Sequence, residues 1–116
     1  MRNMRYRNKY NNKKCRYKDR IFHSRREAGD AMWLDSLIKQ GKIKDFECQH
    51  KIDIRVNGKH ICNHYVDFLV ILNDGSKKYV ETKGFQSETW IIKKKLVEAT
   101  NEIIYLVNPK EDELLK

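Results

Sequence analysis

Residues 46–56 (FECQHKIDIRV) alternate apolar and polar side chains without a break. Phe46, Cys48, His50, Ile52, Ile54 and Val56 fall on one side; Glu47, Gln49, Lys51, Asp53 and Arg55 fall on the other. A period of two belongs to a strand with one face covered, because successive strand side chains point in opposite directions. Asn57-Gly58 follows, a pair that marks a hairpin, and residues 65–72 (YVDFLVIL) return as a second strand. A three-residue loop, Asn57 to Lys59, sets Val56 opposite His60, Ile54 opposite Cys62 and Cys48 opposite Phe68. That register keeps the apolar faces together, whereas a slip of one residue inverts a whole face.

A second hairpin is written just as plainly. Asn73-Asp74-Gly75 suits a three-residue loop with Gly75 in the left-handed conformation, and residues 78–84 (KYVETKG) supply the third strand. Leu72 then faces Ser76 and Asp67 faces Glu81, with Cβ atoms of opposed residues about 4.5–5.5 Å apart. Lys83 shares a face with Glu81, and the first hairpin sets Gln49 opposite Asp67. Two carboxylates held so close repel each other unless a cation lies between them, and a hard divalent ion such as Mg²⁺ accepts carboxylate oxygens. A neighbouring lysine can orient or deprotonate a water, or balance developing negative charge. These are the parts of a metal-dependent phosphodiesterase; the same three residues also satisfy a plain cross-strand ion-pair cluster.

Helices bracket the strands. Ser24-Arg25-Arg26-Glu27 has the form of a capping box, with Ala28, Ala31, Met32, Leu34, Leu37 and Ile38 as the apolar side and Gly41 as the stop. Residues 87–100 read as a second helix with Trp90, Ile91, Leu96, Val97 and Ala99 inward, residues 103–107 as a short apolar strand, and the closing EDELLK as a last turn or a frayed end. The fold class is therefore α/β (α+β), in the order α-β-β-β-α-β.

Val66-Asp67 on one strand and Glu81-Thr82-Lys83 on the next, within that order of elements, resemble the PD-(D/E)XK nuclease superfamily. The proline before the first acid is replaced by Val66. The stretches IFHSRREAGDAMWL, GKIKDFECQHKIDI, YVDFLV and VETKGF resemble small phage nucleases of the endonuclease I and Holliday-junction-resolvase type, over residues 8–107. The resemblance implies a restriction-endonuclease-like core: a mixed sheet flanked by helices. It implies a DNA endonuclease that uses Mg²⁺, with Mn²⁺ able to substitute, to cut branched DNA as a homodimer. It assigns Asp67, Glu81 and Glu27 to the metal, with the Thr82 carbonyl as a further ligand, and Lys83 to the water. Gln49 stands beside them as an orienting residue or as an ordinary exposed strand residue. Glu27 is also the capping-box partner of Ser24, and which side of the helix faces the sheet decides between the two roles.

Charge divides the chain of 116 residues in two. Residues 1–20 carry nine Lys or Arg and one acid, Asp19, leaving sixteen basic and fifteen acidic residues for the rest. The reading is a basic arm over 1–20 and a nuclease-like domain over 21–116. Lys9, Lys13, Lys14, Arg16 and Lys18, with Tyr6, Tyr10 and Tyr17 among them, suit phosphate backbones and base stacking. Lys93 and Lys94 on the second helix are further candidates for backbone contact. With 40% hydrophobic residues the remainder can build one modest core. No apolar run approaches a membrane span and no apolar stretch follows the basic N-terminus, so the expectation is a cytoplasmic protein. Cys15, Cys48 and Cys62 read as reduced thiols. His60, Cys62 and His64 alternate on one strand face, about 7 Å apart, which fits a half-buried strand edge better than tetrahedral zinc.

Two other functions remain open on these residues. One is a transposon-end or restriction-type endonuclease on the same fold. The other is a non-catalytic DNA-binding module, in which the acids are surface pairs and the arm does the work.

Overall fold

The computed structural model describes residues 25–116; the capping serine Ser24 and the basic arm lie outside the described residues. Helix α1 spans Arg25–Lys39, followed by strands β1 (Asp45–Val56), β2 (Lys59–Ile71) and β3 (Lys77–Glu81). Helix α2 (Glu88–Thr100), strand β4 (Ile104–Val107) and the short helix α3 (Glu111–Leu115) complete the order. One sheet runs β1-β2-β3-β4. Its first three strands are antiparallel, and β4 joins β3 in parallel after the α2 crossover, as a parallel pair requires. The result is an α+β fold on a four-stranded mixed sheet.

Gly41 ends α1 as the sequence predicts. At φ 75° it donates to the Ile38 carbonyl (2.9 Å), while the next residue, Lys42, donates to Leu37 (2.9 Å). These two bonds form a Schellman cap, which satisfies carbonyls that the helix itself leaves open. Helix α2 starts at Ser87, whose side-chain oxygen accepts from the Trp90 amide at 3.1 Å.

The β2–β3 loop also matches the expected geometry. Leu72 donates to Ser76 (2.8 Å), Gly75 adopts φ 91°, and Asp74 Oδ1 accepts from the Ser76 amide at 2.9 Å. The β1–β2 turn differs from expectation. Val56 pairs with Lys59, so the loop is the two residues Asn57 (φ 55°) and Gly58 (φ 80°). Both central residues take the positive φ of a type I′ turn, whose twist suits the flanking strands. A bulge between the pairs Arg55–His60 and Ile54–Cys62 then skips Ile61 and restores the predicted partners Ile54–Cys62 and Cys48–Phe68. Local turn preference won at the tip, and the core restored the register one step later.

The alternation of β1 does not bury one uninterrupted face. Phe46 and Cys48 join a cluster with Ala31, Leu34 and Leu37 of α1 and with Phe68, Val70 and Val80. Ile52 and Ile54 join a second cluster with Leu69, Tyr79, Tyr105 and with Trp90 and Val97 of α2. Between them Gln49 sits at φ 54°, a left-handed conformation that costs a non-glycine about 1–3 kcal/mol. His50 is only half-buried, bonded to Glu47 at 3.2 Å, and Val56 is exposed. Helix α3 is a true element: Leu114 is fully buried in the first cluster, and the buried Lys78 ammonium donates to its carbonyl at 2.9 Å. A cation there also suits the negative end of the helix.

Cys62 carries a free thiol, as expected for it, and Cys15 lies outside the described residues. Among the described residues no helix is long and apolar enough to cross a membrane.

Candidate active site

Asp67 lies one residue before the β2–β3 ladder pair Phe68–Val80 and Glu81 one residue after it, so the two acids stand across the strands as the loop count predicts. The backbone just past Glu81 is tied to Asp67: the Thr82 amide donates to Asp67 Oδ2 at 2.9 Å. Asn108, after β4, fixes the other side of this segment. Its amide donates to the Glu81 carbonyl (2.8 Å), its side-chain amide donates to the Lys83 carbonyl (2.9 Å), and its Oδ1 accepts from the Lys83 amide (3.1 Å).

Glu27 resolves toward the sheet. It is buried, accepts from Gln49 Nε2 at 3.0 Å, and its carboxyl is hydrogen-bonded to Asp67. Gln49 therefore belongs to the cluster, and its left-handed backbone is what takes its side chain out of the regular β1 pattern to Glu27.

The electrostatics follow from crowding. Burial and the neighbouring Asp67 charge push the Glu81 carboxyl up to about 8 from 4.5. Burial also raises Asp67, against the Thr82 amide, the Glu27 bond and the Lys83 charge, which lower it. Lys83 is half-buried, close enough to act on both acids, with its ammonium 5.3 Å from the Trp90 ring centre.

Three participants were not anticipated. Asp30 accepts a hydrogen bond from the Thr82 hydroxyl and raises Asp67 through its charge; it lies three residues after Glu27, so helical spacing alone could have proposed it. Tyr105 of β4 donates to Glu81 Oε1 at 3.1 Å, and His64 Nε2 lies 2.8 Å from the Tyr105 hydroxyl. Tyr105 lies in an apolar strand stretch, and His64 read as part of a half-buried strand edge.

The other predicted positions are more dispersed. Lys93 is half-buried and donates to the Asn63 carbonyl at 3.2 Å; Lys94 pairs with Glu98 at 2.7 Å and lies 5.2 Å from the Tyr105 ring centre. Both lysines are thus engaged within the fold, and Lys95 is the exposed member of the run. Lys9, Lys13, Lys14, Arg16 and Lys18 lie outside the described residues. His60 bonds to Asp53 at 2.5 Å, apart from His64 and its Tyr105 partner. Among the described residues no three His, Cys, Asp or Glu side chains are grouped to hold a metal ion as they stand.

The fold and its cluster define a class: a four-stranded mixed sheet with a half-buried and a buried acid on adjacent strands and a lysine two residues beyond the second acid. Residues 7–107 match the family described as "Protein of unknown function (DUF1064)", and the chain belongs to that family. No curated protein and no solved structure matches it.

Proposed function

We propose that this protein is a Mg²⁺-dependent, structure-selective DNA endonuclease with a PD-(D/E)XK type of active site. The observation that carries the reading is the pairing of Asp67 with Glu81. Glu81 is buried and Asp67 half-buried across the strands from it, and both are harder to ionise than an ordinary carboxyl. Burying two acids together is costly for folding alone, and a divalent cation is the chemistry that turns that cost into binding.

The donor set fits magnesium. Glu27, Asp67, Glu81 and the Thr82 carbonyl offer only hard oxygen atoms, the kind this ion prefers. Asp67 and Glu81 would hold it, with Glu27 and the Thr82 carbonyl supplementing them. A bound Mg²⁺ polarises a phosphoryl oxygen and lowers the pKa of a coordinated water.

The chain's own groups supply the rest. Lys83 sets a positive charge beside the acids, where it can orient the attacking water and balance charge growing on the phosphate. Gln49 keeps Glu27 aimed at Asp67 through its 3.0 Å bond. Asn108 holds the backbone of Lys83 from both sides, which keeps the lysine in register with Glu81. The basic residues of the arm would draw in the phosphate backbone. The preference for branched DNA and the action as a homodimer rest on the resemblance of the sequence to junction-cutting nucleases; a two-fold pair of active sites suits symmetric cuts.

Asp67→Asn tests the assignment. The variant should lose cleavage of DNA in Mg²⁺ while binding DNA as tightly as the unaltered chain or more tightly, because a negative charge near phosphate has gone. Equal cleavage by both proteins refutes it. If neither protein cleaves and binding is unchanged, the non-catalytic DNA-binding module is the better reading.

A further inference from the structure

We propose that Tyr105 and His64 are positioning residues that aim the Glu81 carboxylate at its cation; this rests on the reading of Glu81 as a metal ligand. The three side chains come from β2, β3 and β4 and form one buried line. Glu81 is 6% exposed, Tyr105 6% and His64 4%. Tyr105 donates to Glu81 Oε1 at 3.1 Å, and His64 Nε2 stands 2.8 Å from the same phenol oxygen.

Proton counting gives the line a direction. A phenol has one proton, and Tyr105 commits it to the carboxylate. Its oxygen must then accept from His64, which places the histidine proton on Nε2. His64 stays neutral in this role: burial, with the Lys93 and Lys83 charges, pulls its pKa down to about 4. The order is His64 to Tyr105 to Glu81, each group giving one hydrogen to the next.

The phenol ring is held on several sides. Tyr79 meets it edge-on with centroids 5.8 Å apart, Trp90 does so at 6.4 Å, and the Lys94 ammonium lies 5.2 Å from its centre. Such packing leaves the hydroxyl little freedom, so the Glu81 oxygen it grips is fixed as well. Carboxylates that bind metals depend on partners of this kind, and losing one typically weakens metal affinity about 10–100-fold. A bond that served only the core would leave metal affinity untouched.

The test is Mn²⁺ binding to the full chain, read from the electron paramagnetic resonance signal of the free ion, together with melting temperature in EDTA. Tyr105→Phe should weaken binding about 10–100-fold. His64→Leu, which removes only the donor to the phenol, should weaken it less. His64→Gln, which returns an N–H at similar reach, should restore it toward the unaltered value. The His64 pair decides the matter if Tyr105→Phe fails to fold. Unchanged affinity in Tyr105→Phe and His64→Leu overturns the positioning role, and so does a His64→Gln variant as weak as His64→Leu. If the unaltered chain binds Mn²⁺ and Asp67→Asn does not, such a result overturns this inference alone. An unaltered chain without Mn²⁺ binding overturns the metal reading along with it.

Discussion

The Thr82 amide donates to the Asp67 carboxylate across 2.9 Å, so the segment that carries Glu81 and Lys83 is locked to the acid on the neighbouring strand. The bond lies just past the regular β2–β3 ladder and extends its register into the cluster. It also favours the Asp67 charge, as Glu27 and Lys83 do, in a place where burial and Asp30 oppose it.

The crowding has a pH signature in the metal-free protein. Glu81 rises to about 8 from 4.5, so its contribution to stability is fully present below 4.5 and is lost as pH rises through 8. Asp67, also raised, acts in the same direction. His64 falls to about 4 from 6.5, so its contribution is present above 6.5 and is lost as pH falls through 4. The histidine and Glu81 oppose each other between 4.5 and 6.5; above 6.5 the Glu81 slope stands without the histidine. The melting temperature in EDTA should therefore fall from pH 6.5 to 8, and Glu81→Gln should flatten that fall. An identical fall in the variant would show that Glu81 is not its source.

Phe68 fills the first core cluster between β1 and β3, with its ring 6.0 Å from Phe46 in an edge-on contact and no solvent exposure. Phe68→Ala should cost about 3–5 kcal/mol in urea unfolding, from lost burial and the cavity left behind. Phe85 is 82% exposed, and Phe85→Ala should stay within about 0.5 kcal/mol of the unaltered chain. Equal losses at the two sites would contradict the core described.

The basic arm should act through phosphates rather than bases. Replacing Lys13 and Lys14 with Ala, in an Asp67→Asn background that prevents cutting, should weaken DNA binding evenly across sequences. For every duplex phosphate that a lysine no longer neutralises, the salt slope should also fall by about 0.9. Fluorescence anisotropy over a range of KCl concentrations measures both. An unchanged slope would remove these two lysines from the interface.

Much of this architecture was legible because short-range chemistry specified it. The Asn73-Asp74-Gly75 loop set the β2–β3 register, and that register set Asp67 against Glu81. Gly41 ended α1 for the reason a glycine usually does. At Asn57-Gly58 two local rules conflicted: the turn preferred two residues, the apolar faces needed an offset of three, and the bulge at Ile61 reconciled them. Gln49 was placed in the correct row, yet nothing about a glutamine announces a left-handed backbone. The bond between His64 and Tyr105 was illegible for another reason. It joins strands β2 and β4, which are not neighbours in the sheet. No pairing count along the chain reaches across that gap.

The most direct measurement is cleavage of a four-way DNA junction and a matched linear duplex, each in Mg²⁺ and in EDTA, by the unaltered protein and by Lys83→Ala. A Mg²⁺-dependent, structure-selective nuclease should nick the junction in Mg²⁺ and not in EDTA, cut the duplex little, and lose its nicking in the variant. Junction binding without cutting, or cutting that survives both EDTA and Lys83→Ala, would contradict it.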